Sequence, residues 1–103
     1  MKHLNKLIKE LLVVELEVKE CDFINYGNGD LGIKIFVDQI EFSYTILYLQ
    51  DEKMMLCAEN EYYGRTAVEN HYDRCNTKCD ANENTARSFV ALMVENATAI
   101  HGV

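Results

Sequence analysis

The sequence predicts an α+β domain with an N-terminal helix, an antiparallel sheet of three to four strands in hairpins, and two C-terminal helices packed on the sheet. Apolar residues recur at helical spacing near both ends of the chain and alternate with polar residues through the middle. Turn-forming residues separate the alternating runs. At 103 residues, the chain is expected to form a single domain, 1–103.

The first predicted element is a helix over residues 2–12. Its apolar residues fall at i, i+3, i+4, i+7 and i+8 and form one stripe: Leu4, Leu7, Ile8, Leu11 and Leu12. Val14, Leu16 and Val18 then alternate with charged residues, which predicts a first strand over 14–18. The alternation changes phase near Glu20, so a β-bulge is expected there.

Three further alternating or apolar runs predict strands, at residues 33–37, 40–48 and 54–58. The turns between them are predicted at 25–30, which is rich in Gly and Asn, and at 38–39 and 50–53. The run 54–58 is apolar at every position. We therefore expect it to be the last strand and to be covered on both faces.

Two helices are predicted after the sheet. Val68, Tyr72, Cys75 and Cys79 form one stripe, which indicates a helix over about 65–78. Asp80 and Glu83 have the spacing of a capping box, so a second helix is expected from there to about residue 100. Its apolar stripe consists of Ala86, Phe89, Val90, Met93, Ala97 and Ile100.

The charge and hydropathy of the chain exclude several classes of protein. The net charge of −7 argues against a general nucleic-acid binder and against adhesion to anionic membranes. Charged residues interrupt the N-terminal apolar run, and the longest apolar run, 89–94, has six residues. Neither a signal peptide nor a membrane span is therefore expected, and the prediction is a cytoplasmic protein with free cysteines.

A possible metal or thiol site is the set His71, Cys75 and Cys79, with Cys57 as a fourth ligand. On one helix face these residues could bind zinc in pairs, but three in a row span about 12 Å, too far for one ion. The stripe also favours a plain core role for Cys75 and Cys79. A thiol- or zinc-dependent protein remains the alternative hypothesis, and no cofactor is expected.

The string Gly27-Asn28-Gly29-Asp30-Leu31-Gly32 has the pattern G-x-G-x-x-G. It lies between two predicted strands, without the following helix whose N-terminus holds a pyrophosphate. A flexible hairpin turn is therefore expected rather than a dinucleotide site. Because no catalytic motif occurs elsewhere, the chain is not expected to be an enzyme.

The uneven distribution of charge is the most informative functional feature. Residues 1–34 have a net charge of −1, whereas 35–64 contain six acidic residues against Lys53 alone, a net charge of −5. This predicts a partner-binding face formed by Asp38, Glu41, Asp51, Glu52, Glu59 and Glu61. Its partner would be a basic protein surface of the kind that normally takes phosphates. The alternative is a solvated acidic face that only maintains solubility.

In its size, acidity and order of elements the chain resembles small phage-encoded inhibitors, including some anti-CRISPR and anti-restriction proteins. Several of those mimic nucleic acid. The resemblance implies an inhibitor of a nucleic-acid-handling complex in the host cytoplasm, and no residue role is carried over. The same order occurs in double-stranded-RNA-binding domains, but residues 81–88 here contain one basic residue, Arg87. A small dimeric chaperone or structural protein, joined through the last strand, is a further alternative.

Overall fold

A computed structural model describes residues 2–16, 20–37, 40–58 and 75–102. Within these ranges lie two helices and five strands: α1 (Lys2–Glu15), β1 (Glu20–Asn25), β2 (Leu31–Val37), β3 (Ile40–Leu49), β4 (Lys53–Ala58), β5 (Cys79–Asp80) and α2 (Glu83–Gly102). The strands form one antiparallel sheet in the order β1-β2-β3-β4-β5. The predicted α+β class is confirmed, with five strands rather than three or four.

The N-terminal helix is confirmed and is longer than predicted. Leu4, Ile8 and Leu12 are fully buried on one face, and α1 continues to Glu15. The strand predicted over 14–18 is wrong at residues 14–16, since Val14 is a helical residue and is 69% exposed, while residues 17 and 18 lie outside the described residues. Leu16 lies four residues after Leu12, so its side chain is buried on the same face in the turn that follows. Three alternating residues were too short a pattern to separate a strand from a helix end.

The first strand begins at Glu20 and pairs with β2 without interruption. Cys21 and Phe23 are half-buried on the inner face, and the described pairing of β1 contains no bulge. The predicted turn after β1 is confirmed. Within it the Tyr26 N–H donates to the Asp30 carbonyl (3.1 Å), and Gly29 adopts a left-handed φ of 95°.

The alternation predicted for the middle strands is confirmed. The inner face of the sheet is buried at Leu31, Ile33, Ile35, Val37, Phe42, Tyr44, Ile46, Met54, Leu56 and Ala58. The outer face of β4 is only half-buried at Met55 and Cys57, so β4 is not equally covered on both faces. The loop predicted at 38–39 lies outside the described residues.

β4 is not the last strand of the sheet. Cys79–Asp80 pairs with Lys53 and Met54, and the Asn76 N–H donates to the Leu56 carbonyl (2.7 Å). This edge of β4, through which a homodimer was considered, is therefore occupied by the chain itself at these positions.

The first of the two predicted C-terminal helices is wrong in the part that the structure describes. Residues 75–78 are not helical and lead directly into β5, whereas 65–74 lie outside the described residues. The described part of the chain thus has one C-terminal helix. The stripe failed because the periodic spacing of Cys75 and Cys79 falls on a non-helical segment that is hydrogen-bonded to β4 at Asn76 and Cys79.

Helix α2 begins two residues later than the predicted capping box implies. The side chain of Asn82 is its cap, because its Oδ1 accepts a hydrogen bond from the Thr85 N–H (2.8 Å). Asp80 cannot serve as the cap, since it belongs to β5 and pairs with Lys53. The predicted stripe is confirmed for Ala86, Phe89, Val90, Met93 and Ala97, which are all buried.

The two helices pack against each other and cover the inner face of the sheet, forming one hydrophobic core. Asn96 of α2 is fully buried, and neither its Nδ2 nor its Oδ1 has a hydrogen-bond partner among the described residues. An unsatisfied buried polar group costs about 1–3 kcal/mol. Asn96 is thus the one described core side chain that conflicts with the packing around it.

Replacing Asn96 with Leu is expected to leave stability unchanged or to raise it by up to about 2 kcal/mol, since the unpaired amide is replaced by an apolar side chain with the same branched arrangement of heavy atoms. Urea unfolding measures the change in the free energy of unfolding. The matched control is the reverse exchange at the neighbouring buried position, Leu92→Asn, which should lose about 1–3 kcal/mol. A loss above about 1 kcal/mol for Asn96→Leu would contradict this expectation.

Candidate functional site

The structure separates the predicted acidic residues that it describes. Asp51 and Glu52 lie in the turn after β3, whereas Glu41 lies near the start of that strand, about 30 Å away at 3.4 Å per residue. Glu41 lies 4.0 Å from the Lys34 ammonium and accepts a hydrogen bond from the Ser43 hydroxyl (3.3 Å). Asp38, Glu59 and Glu61 lie outside the described residues. The described members therefore do not form one continuous face.

Asp51 and Glu52 form an exposed pair that we call the acidic turn. Both residues are left-handed, with φ of 60° and 56°. This conformation costs a non-glycine residue about 1–2 kcal/mol, and Asp tolerates it better than Glu. Neither carboxylate forms an ion pair with a described residue. The acidic turn therefore presents two uncompensated negative charges on a strained backbone.

Two contacts with the chain after β5 hold the acidic turn in place. The Ala81 N–H donates to the Glu52 carbonyl (2.8 Å). The Lys53 ammonium donates to the Asp80 carboxylate, which raises the pKa of Lys53 and lowers the pKa of Asp80. This pairing brings Asp80 to the same corner of the molecule. The sequence did not predict that, because a two-residue strand leaves no alternation to detect.

The proposed zinc or thiol set is not assembled as predicted. Cys75 is buried, and Cys79 is half-buried with its thiol 3.5 Å from the Thr77 carbonyl oxygen. Because residues 75–80 are not helical, Cys75 and Cys79 do not share a helix face; His71 lies outside the described residues. No group of three metal-ligating side chains occurs in the ranges that the structure describes.

The half-buried Cys21 is no better suited to nucleophilic chemistry. Burial, with a smaller contribution from the Asp22 carboxylate, raises the pKa of its thiol from 9.0 to about 12. The thiol is therefore protonated near neutral pH, and the thiolate is the reactive form.

A second charged site, of opposite sign, lies between α1 and the turn after β1. We call it the lysine cleft; its volume is about 320 Å³, and its lining includes Lys2, Asn5, Lys6, Lys9 and Asn25. The Lys9 ammonium donates to Asn25 Oδ1 (2.8 Å) and lies 5.9 Å from the centre of the Phe23 ring. The sequence placed these lysines away from the apolar stripe of α1 but did not show what they would face.

The floor of the lysine cleft is held by a hydrogen-bonded chain. Asn5 Nδ2 donates to the Gly29 carbonyl (2.9 Å), and the Tyr48 hydroxyl donates to Asn5 Oδ1 (2.6 Å). The Tyr48 N–H in turn donates to Asp30 Oδ1 (3.1 Å). Burial, and to a lesser extent the Asp30 charge, raises the pKa of Tyr48 to about 12, so the hydroxyl remains a donor near neutral pH.

The glycine-rich string has structural roles at two of its glycines. Gly29 supplies the left-handed residue of the turn. At Gly32 a Cβ atom would lie 3.1 Å from the Tyr26 ring, which occupies that space on the outer face of the sheet. The string therefore forms a hydrogen-bonded hairpin turn and the first residues of β2. The helix that lies beside this turn is α1, through its first part.

An apolar groove of about 390 Å³ runs between the two helices. Leu11, Val90 and Val94 line it, and Glu15 and Arg87 lie at its sides. The exposed Val14 follows Leu11 by three residues and so lies on the same side of α1.

No family model, curated protein or solved structure matches this chain. Neither α1 nor the described part of α2 is long and apolar enough to cross a membrane.

The strain in the acidic turn predicts that Glu52→Gly stabilises the protein by about 0.5–1 kcal/mol, because glycine adopts the left-handed conformation without steric cost. Urea unfolding tests this. Gln50→Gly is the matched control in the same turn, where φ is not left-handed, and it should lose about 0.5–1 kcal/mol. Equal losses for both variants would contradict the strain.

Proposed function

We propose that this chain is a non-enzymatic protein-binding module that docks its acidic turn onto a basic surface of a protein partner. One observation carries the proposal: Asp51 and Glu52 are both exposed, both left-handed and both without an ion-pair partner among the described residues. Local strain that folding does not require is typical of recognition sites.

The residue types at this turn favour recognition over folding alone. A hairpin with two left-handed residues is formed at lower cost by Asn-Gly or Gly-Gly. Glu52, unlike Asn or Gly, adopts the left-handed backbone conformation at a cost, and it also carries an exposed charge. A partner that binds the carboxylates would account for both features.

The position of the acidic turn is suited to electrostatic attraction. It projects from the end of the sheet, in a chain whose net charge is −7. The contacts to Ala81 and Asp80 fix its backbone, so a partner does not have to order it on binding. Charges of this kind chiefly speed association and give the binding a strong dependence on salt.

In its concrete form, the proposal is a phage or mobile-element inhibitor of a nucleic-acid-handling host complex, active in the host cytoplasm. Carboxylates would occupy a basic cleft that normally receives phosphates. The resemblance to small acidic phage-encoded inhibitors and the net charge of −7 support this form. Asp51 and Glu52 are its central residues, Asp80 lies at the same corner through its bond with Lys53, and Glu41 lies at the other end of β3.

The expected outcome is that Asp51→Asn/Glu52→Gln captures much less of the principal partner from host lysate than the unaltered chain does. These changes remove both charges at nearly constant shape, and Asn tolerates the left-handed conformation. Quantitative mass spectrometry of the captured proteins, at several salt concentrations, provides the measurement. Capture by the unaltered chain should fall steeply with salt, and capture by the variant should fall less.

The control variant Glu10→Gln/Glu15→Gln has the same change in net charge at exposed positions of α1, outside the turn. It should retain most of the capture. If the acidic-turn variant and the control capture the partner equally well, the acidic turn is not the binding surface.

A further inference from the structure

We propose that the lysine cleft is a binding site for a small anion that carries two or more negative charges close together, such as a diphosphate or a tricarboxylate. The site is separate from the acidic turn. It rests on the charges, the contacts and the volume of the cleft between α1 and the turn after β1.

Positive charge is concentrated on one side of α1. Lys2, Lys6 and Lys9 are spaced so that they lie on one side of the helix, and the first turn contains no acidic residue. Like charges at this spacing destabilise a helix, and positive charge near its N-terminus opposes the helix dipole. In a chain with 17 acidic residues and 10 basic ones, this concentration is not the expected result of composition.

The described residues neutralise the positive charge of these lysines only in part. Lys2 and Lys6 form no ion pair with any described carboxylate, and Glu10, four residues after Lys6, forms none either. Asp30 also lines the cleft, but its carboxylate already accepts hydrogen bonds from the Tyr48 N–H and from Asn28 Nδ2. Three lysines and one aspartate leave two positive charges, which a dianion would balance.

The lysine cleft is formed by contacts within the chain, without a ligand. Asn5 is fixed between Gly29 and Tyr48, and Lys9 is fixed by Asn25. A volume of about 320 Å³ lies at the lower end of the range for small-molecule sites. Lysine ammonium groups recognise phosphate as point charges, without a demand for planar geometry.

The size and the surroundings of the site favour a small ligand over a long one. A nucleic acid would extend beyond the cleft onto a protein of net charge −7 and would be repelled. A compact anion inside the cleft meets the lysines first, and the acidic turn belongs to a hairpin two strands away. The chemistry therefore points to a small multivalent anion.

Calorimetric titration at low salt tests the proposal, with inorganic pyrophosphate and citrate as separate probes. Any purification tag is placed at the C-terminus, because Lys2, next to the N-terminus, lines the site. The unaltered chain should bind at least one probe saturably with one site per chain. Lys2→Gln/Lys6→Gln should weaken that binding at least tenfold, and both lysines are exposed, so the variant should fold with an unchanged circular dichroism spectrum.

The matched control is Lys34→Gln/Lys78→Gln, which has the same change in net charge outside the cleft and should bind within about threefold of the unaltered chain. Binding of pyrophosphate alone would assign a phosphate ligand, and binding of citrate alone a carboxylate ligand. No saturable binding of either probe, or equal weakening by both variants, would overturn the proposal. Because Asp51 and Glu52 are unchanged in every variant, such a failure would leave the proposed function intact.

Discussion

The side chain of Asn5 makes the contacts on which the position of the lysine cleft depends. It accepts a hydrogen bond from the Tyr48 hydroxyl and donates one to the Gly29 carbonyl, so it joins α1 to β3 and to the turn after β1. The hydrophobic stripe of α1 fixes which face is buried, but apolar packing is non-directional. The two hydrogen bonds fix where α1 lies along the sheet and thereby form the lysine cleft.

The antiparallel topology places the acidic turn and the lysine cleft at the same end of the molecule. The turn after β1 and the turn after β3 lie at the same end, since successive strands reverse direction. Helix α1 begins beside the first turn and α2 begins beside the second, as the contacts of Asn5 and Ala81 show. This end therefore carries positive charge on the β1 side and negative charge on the β4 side.

The sequence predicted the elements that repeat their pattern and missed those formed by isolated contacts. Long alternating runs identified β2 and β3, and five apolar residues identified α1. The short alternation at Val14 and the stripe through Cys79 were misleading, because two or three spacings fit more than one conformation. The Asn5–Tyr48 bond joins residues 43 positions apart, and no local pattern predicts such a pair. The sequence likewise identified Asp51 and Glu52 as acidic residues of a turn, but no local pattern predicted their left-handed conformation.

A double-mutant cycle on Asn5 and Tyr48 tests most directly whether this contact holds α1 on the sheet. Urea unfolding of Asn5→Ala, Tyr48→Phe and the double variant gives the three changes in the free energy of unfolding. We expect Asn5→Ala to cost more than Tyr48→Phe, because it removes both hydrogen bonds, and a coupling of about 1 kcal/mol or more. Losses that add to within about 0.3 kcal/mol would contradict the account.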